Sequence, residues 1–397
     1  MSPRLNLLAP EFRANPYPFF AELRRNAPVS QVDPGDMWAV SRYDDVLTVC
    51  KNPQLYSSAA IVESGKSWLE FNPLADSVLL MDPPRHTRLR ALVNRAFGPQ
   101  GLARLEPRIR EVVRTLTDEL LRRRTVDFIE ALALPLPASV IALLLGLDVT
   151  LRDRFKLWGD ALVSAPAIAD TDVALREQAR ATVGEMERYL RGVLEERRRN
   201  PGDDMVSELL RAQVEGESLE EPELMGFLTL LLVAGLETTV HLLSGSARIL
   251  AAHPELMGRL RQDPTLIPRF VEEVLRYESP VQGVLRVTRA ETTLGGVRLP
   301  QGARVLMMLG SANRDEAHFS EPDRFSLERS GGAPSLAFGQ GIHFCLGAQL
   351  ARLETRLALE ALLPQCSRIS AGAEPLDWNL SITVRGPTRL PLELVRG

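Results

Sequence analysis

The sequence predicts a mainly α-helical protein with a minor β component, organised as one domain over residues 1–397. Three observations carry this reading. Helix-period apolar patterns run from Pro84 to about residue 276 and return at about 346–362. A strand-rich patch with turn signals occupies about 281–309. No flexible linker divides the chain, although a length of 397 residues, at about 150 per domain, gives a prior of two or three domains.

The chain opens with a Pro-rich entry, Asn15-Pro16-Tyr17-Pro18, followed by short β-like pieces around Met37–Val40. Helices are expected at about 85–97, 101–123, 137–145, 150–163, 173–199, 204–213, 222–252, 255–260 and 265–276. Breaks such as Asn200-Pro201-Gly202-Asp203 separate them. Within the strand patch, Gly295-Gly296 and Gln301-Gly302 mark turns. A Gly-rich loop then leads into the 346–362 helix, and the tail beyond 366 reads as short strands.

Composition narrows the function classes. The 47 basic and 51 acidic residues leave a net charge of −4, which excludes a broadly cationic binder of nucleic acid or membrane surfaces. Hydrophobic residues at 45 % and charged residues at 25 % exclude a disordered or fibrous chain. Only Cys50, Cys345 and Cys366 occur, so no disulfide framework is expected and a reducing cytoplasm is. The N-terminus lacks the apolar core of a signal peptide. The most apolar run, Leu224 to Leu236, is too short to span a membrane and reads as a buried core helix. Nearly all basic residues are arginine; the lysines are Lys51, Lys66 and Lys156.

The most informative segment is Phe338-Gly339-Gln340-Gly341-Ile342-His343-Phe344-Cys345-Leu346-Gly347. Glycine permits positive φ and close backbone approach, so this loop can turn amides toward the sulfur. A helix starting near Leu346 places Cys345 at its N-terminus, where the dipole favours thiolate. One thiolate held by N–H donors beside a flat hydrophobic residue suits an axial haem ligand. A zinc site would need further close Cys or His, and only His343 is near. A nucleophilic cysteine could use His343 as its base. A buried core cysteine among ordinary glycine turns fits the pattern as well.

The loop resembles the haem-binding signature of the cytochrome P-450 family, with Phe338, Gly341, His343, Cys345 and Gly347 at its fixed positions. Other motifs follow in the family's order, from residue 15 to the C-terminus. Glu273-Val274-Leu275-Arg276 resembles the family's Glu-x-x-Arg element; positions i and i+3 share a helix face, so the two side chains can pair. By resemblance their third partner is Arg324, and the role of all three is structural. Ala234-Gly235-Leu236-Glu237-Thr238-Thr239 resembles the oxygen-activation motif. An acid and an alcohol inside an apolar helix are costly unless they have partners or a task. The small Ala234-Gly235 pair would let a flat cofactor approach the backbone, and a threonine can draw off a helix carbonyl and open a kink.

The resemblance implies Cys345 as iron ligand, with Ala234 and Gly347 against the haem. It also implies propionate contacts from His86, Arg90, Arg286 and His343; Arg88 points to another helix face. Glu237 and Thr238 would deliver protons to iron-bound dioxygen. Asn313-Arg314-Asp315 agrees with the family too, while Glu316 stands where proline is commoner. The implied fold holds haem b between a long central helix and the helix after the cysteine loop. The implied activity is dioxygen-dependent hydroxylation or epoxidation of a small hydrophobic substrate: a fatty acid, terpenoid, steroid or polyketide. By family analogy Phe71, Val163, Leu230, Val281, Val284 and Ile382 line the pocket, beside Ile61, Trp68, Leu69 and Leu285. Electrons are expected from separate partners, a ferredoxin with its reductase or a flavodoxin. Two rival classes stay open. A haem-thiolate sensor or electron carrier would need neither Glu237 nor Thr238, and a cysteine hydrolase using Cys345 and His343 would be colourless.

Overall fold

Glu220, Pro222 and Glu223 start the helix around which the others assemble. The Glu220 side chain accepts from the first-turn backbone and its own N–H donates to Glu223 at 3.1 Å, a capping box ahead of a long apolar run. The resulting helix, Glu221–Ala252, is 32 residues long and continuous through Thr238. It is long and apolar enough to cross a membrane, yet the most apolar window is 78 % buried within the protein, which makes it a core helix. Glycine is needed at Gly226, where a Cβ would come within 2.7 Å of the Asp76 carbonyl carbon.

The computed structural model describes residues 4–63, 72–94, 97–168, 171–214, 217–372 and 374–397. Helices Pro135–Leu145, Arg152–Ser164 and Val173–Arg199 pack against the central helix, as do Ile267–Tyr277 and Ala348–Leu362. Their apolar faces form one continuous core, with Phe155, Trp158, Phe227 and Phe270 among the fully buried side chains. Among the described residues, six strands form a sheet in the spatial order Leu5–Asn6, Val29–Asp33, Met37–Val40, Arg304–Met307, Val284–Thr288, Tyr56–Ser57. Antiparallel pairing sets Arg286 opposite Val305 and fixes the guanidinium's place on the sheet. Thr125–Asp127, Pro391–Arg396 and Cys366–Ala371 form a smaller antiparallel sheet.

The mainly α, minor β reading therefore holds, and most helix bounds lie close to their periodicity. Among the helices longer than two turns, Tyr17–Asn26 and Tyr43–Lys51 were not foreseen. Pro16 and Pro18 read as breakers in the sequence. They are instead cap and first-turn residues, where a missing N–H costs nothing. Likewise Pro107 is carried inside the Pro99–Leu120 helix.

A buried ionic network locks the side of the fold that carries the cysteine loop. Glu273 accepts from Arg276 Nε and Nη2, both at 2.8 Å, and Arg276 also donates to the carbonyls of Asn313, Pro322 and Arg324. The third side chain in the network is Arg329, whose Nε lies 3.1 Å from Glu273 Oε1. This corrects the expectation for Arg324. Its guanidinium is exposed and pairs with Glu321 at 3.2 Å, and only its carbonyl joins the network. The Ser320–Arg329 loop presents two arginines, and the buried carboxylate selects the one whose stem folds back. Nearby, Arg314 is held between the rings of Tyr17 and Tyr277, 3.4 and 3.7 Å from their centroids. Glu316 pairs with buried Arg24 at 3.0 Å, a use for the carboxylate that stands in place of proline.

Removing one partner from a buried ion pair strands the other charge, whereas an exposed pair contributes little. Arg329→Ala is expected to cost about 2–3 kcal/mol in chemical denaturation. Arg324→Ala should stay within about 0.5 kcal/mol. Equal costs for the two would contradict this assignment.

Candidate active site around Cys345

The cysteine loop is shaped by two glycines at positive φ, Gly339 (+69°) and Gly341 (+74°). At Gly341 a Cβ would also strike the Cys50 carbonyl oxygen at 2.5 Å, so no side chain fits there. Cys345 N–H donates to the Phe338 carbonyl at 3.0 Å and closes the loop, and Gly347 caps the Ala348–Leu362 helix. Cys345 lies at that helix's N-terminus, as expected, and is accessible although it sits deep in the protein. Burial pushes its thiol up, while the N–H groups of Gly347 and Ala348 and the charges of Arg90 and Arg352 pull it down. The dipole thus acts in the expected direction, but burial outweighs it. Such a thiol is a poor free nucleophile and suits a metal ion whose own charge stabilises thiolate. All three cysteines are free, with Cys366 buried and Cys50 half-buried.

Four basic side chains gather beside this loop from three separate elements. His86 and Arg90 come from the Arg85–Asn94 helix, Arg286 from the sheet and His343 from the loop itself. The His86 and His343 rings are 4.4 Å apart, and Arg90 Nη2 donates to the Phe344 carbonyl at 2.6 Å. Burial, reinforced by the neighbouring guanidiniums, lowers the pKa of His86 to about 4 and that of His343 to about 2. Both imidazoles are therefore neutral donors at physiological pH. His343 Nε2 meets Ser58 Oγ at 3.1 Å, but neither ring nitrogen of His86 has a partner. Arg286 is buried and, among the described residues, donates only to its neighbour's carbonyl. Among the described residues neither Arg90 nor Arg286 meets a carboxylate. Buried charges normally have counter-charges, so this set calls for a doubly anionic group beside Cys345. The two propionates of a haem fit that requirement. Arg88 is directed elsewhere, to buried Glu223 and the Ser218 carbonyl, as its helix position predicted.

On the central helix, coverage fails at one place. Ala234 is exposed and Thr238 half-exposed in a helix otherwise buried along its middle, and Thr238 Oγ1 donates to the Ala234 carbonyl at 2.6 Å. That bond leaves the hydroxyl free to accept. Gly235 faces the other way: a Cβ there would come within 2.6 Å of Ile141, so its smallness serves helix packing. This corrects the expectation that the Ala234-Gly235 pair together opens the backbone to a cofactor; Ala234 alone is placed for it.

Glu237 also turns from that accessible spot. Its carboxyl is buried against the Arg152–Ser164 helix, with Oε1 3.8 Å from Lys156 Nζ and Oε2 3.7 Å from His241 Nε2. Lys156 in turn pairs with Asp160 at 2.9 Å, and Asp160 is half-exposed. Gly159 makes room, a Cβ there falling 3.4 Å from Glu237 Oε1. Burial raises the Glu237 pKa to about 7; Lys156 opposes the rise. The arrangement is a protonatable carboxyl near neutrality, one ion pair from solvent and one residue from an accessible alcohol. Lys156, Asp160 and His241 were missed from sequence. The available signal was that Lys156 is one of three lysines in an arginine-dominated chain.

Of the expected pocket residues, Val163, Leu230, Val281, Val284 and Ile382 are each half-buried, as wall residues are. Val281 bridges to Val384, and the N–H groups of Gln282 and Gly283 donate to the Thr383 carbonyl, so the 281–285 and 381–384 segments are stitched together. Val163 and Leu230 border the main core. Phe71, Trp68 and Leu69 lie outside the described residues.

Comparison with known proteins agrees with this geometry. Residues 5–377 match the family described as Cytochrome P-450. "Cytochrome P-450 109" of Bacillus spizizenii is 41 % identical over 390 residues, covering 96 % of this chain and 92 % of that protein. The erythromycin C-12 hydroxylase of Saccharopolyspora erythraea is 40 % identical, covering 88 % and 86 %. The crystal structure of CYP109E1 from Bacillus megaterium in complex with testosterone superposes with a TM-score of 0.89 at 35 % identity, covering 97 % and 99 %.

The raised pKa of Glu237 has a signed consequence for stability. Between the ordinary carboxylate range and about 7, the native state holds a proton that the unfolded chain has released. Stability from this group is therefore full below about pH 4.5 and is lost as pH rises through about 7. Glu237→Gln should raise the melting temperature over wild type at pH 8 and not at pH 5. A difference independent of pH would show that the carboxyl is ionised throughout.

Proposed function

This chain belongs to the cytochrome P-450 family of haem-thiolate monooxygenases, and from that membership we propose that it oxidises a hydrophobic substrate at a haem b whose iron is held by Cys345. The observation that carries the proposal is the convergence of buried His86 and Arg286 with half-buried Arg90 and His343 beside the Cys345 loop, with no carboxylate against either guanidinium among the described residues. In this reading the four side chains would hold the propionates, with Gly347 and Ala234 against the ring. A haem bound there supplies dioxygen activation and the transfer of one oxygen atom to substrate.

The remaining chemistry is proton handling by the chain. Glu237 exchanges protons with solvent through Asp160 and Lys156, and Thr238 presents a hydroxyl at the accessible spot on the central helix. The half-buried apolar residues Val163, Leu230, Val281, Val284 and Ile382 bound the substrate space. A polyketide or steroid is the substrate class favoured by the relatives, one named an erythromycin hydroxylase and one bound to testosterone. Electrons come from a separate ferredoxin and its reductase, or a flavodoxin. The protein works as one domain in the cytoplasm, without nucleic-acid or membrane partners.

The central test is optical. The reduced, CO-treated protein should show the red-shifted Soret band of thiolate-ligated haem, and Cys345→Ser should lose it. A colourless wild-type preparation that does not bind added haem would overturn the reading. Arg90→Ala and Arg286→Ala should each weaken haem retention, read as faster haem loss to an acceptor protein. Thr238→Ala should leave reductant consumption largely in place while product formation falls several-fold; unchanged coupling would remove Thr238 from proton delivery.

A further inference from the structure

His241 lies one helical turn beyond Glu237, and nothing in the proposed chemistry uses it. It is 5 % exposed, and neither ring nitrogen has a hydrogen-bond partner. Its Nε2 faces Glu237 Oε2 at 3.7 Å, while Glu237 Oε1 is also without a hydrogen-bond partner. A buried imidazole without a hydrogen-bond partner thus faces a buried carboxyl whose other oxygen, on the Lys156 side, also lacks one. An apolar residue would fill the same space without the cost of burying two unsatisfied nitrogens.

The ring is held from the other side. At Gly386 a Cβ would lie 1.9 Å from His241 Nδ1, so the imidazole occupies the space a side chain would need. It therefore cannot swing away from the helix toward the C-terminal segment. The other charged groups acting on the pair are Lys156 and Asp160 from the Arg152–Ser164 helix and Arg385 from the C-terminal segment. Burial, with Lys156 and Arg385, lowers the pKa of His241 to about 3, so the ring is neutral with one N–H and one lone pair. The 3.7 Å gap is longer than a hydrogen bond, so forming one requires the two side chains to draw closer.

We propose that His241 is a positioning residue for Glu237, donating Nε2–H to its carboxyl and holding it in the orientation that faces Lys156. This rests on the reading that Glu237 handles protons; His241 adds control of where the acid points and how acidic it is. A donor to the ionised form lowers the carboxyl's pKa and offsets part of the rise caused by burial. With Lys156 it keeps the acid able to release its proton near neutrality.

The test follows the Glu237 carboxyl directly, in the holoenzyme. The infrared band of its protonated C=O, identified by its loss in Glu237→Gln, is titrated between pH 5 and 9. His241→Phe should raise the midpoint by about one pH unit or more, the size of one hydrogen bond to a charged group. His241→Asn, which keeps a donor, should return most of it, and the pH profile of coupling should move in parallel. A midpoint unmoved by His241→Phe overturns the inference. Should that variant fail to fold, the wild-type tautomer decides. With five histidines in the chain, nitrogen-15 spectra of the reduced, CO-bound protein resolve His241 by its absence in His241→Asn. The Nε2–H form supports the inference, and the Nδ1–H form or an imidazolium at pH 7 overturns it. Failure of the catalytic reading looks different. Glu237→Gln would then leave coupling unchanged while the infrared midpoint still shifts with His241→Phe.

Discussion

A 32-residue helix buried on nearly every side can offer chemistry only where its neighbours stop covering it. The rest of this structure follows from that constraint. Four helices and the post-cysteine helix press against the Glu221–Ala252 rod, and the packing leaves Ala234 and Thr238 reachable while Gly235 and Glu237 are sealed by Ile141 and the Arg152–Ser164 helix. The acid and the alcohol are adjacent in sequence yet sit in opposite environments. Adjacent helical residues point about 100° apart, so one motif serves both an open face and a closed one.

Charge is distributed by the same logic of cover. The Glu273–Arg276–Arg329 network is complete within the protein and pins the loop that precedes the cysteine turn. The His86, Arg90, Arg286 and His343 group is incomplete within the protein, with donors in excess of acceptors. A satisfied network rigidifies, whereas an unsatisfied one recruits. The two differ in burial far less than in their balance of anions and cations, and that balance separates scaffold from binding site.

Much of the fold was legible because helix periodicity and turn residues are local signals. The central helix, the post-cysteine helix and the strands around Arg286 fall close to their expected places. The cysteine turn was legible in its glycine spacing, and the basic residues near it through the family resemblance. What escaped was decided by tertiary choice. Arg324 and Arg329 sit in one loop, and only the folded carboxylate distinguishes them. Gly235 resembles a contact for a flat ligand until Ile141 is seen against it. Lys156 and His241 carry no motif, because their meaning comes from a carboxyl supplied by another helix or another turn. The helix at Tyr17–Asn26 was hidden by prolines that start a helix as readily as they end one.

The ion pair between Lys156 and Glu237 crosses from one helix to another, so it ties a mechanical coordinate to a chemical one. Anything that displaces the Arg152–Ser164 helix removes a positive charge from beside the acid and makes it harder to ionise. Linkage makes the effect mutual: the charge on Glu237 pulls that helix inward with the same free energy by which the helix favours the charge. The position of that helix and the proton on Glu237 are thus one thermodynamic variable, and a ligand that settles the first has already spoken to the second.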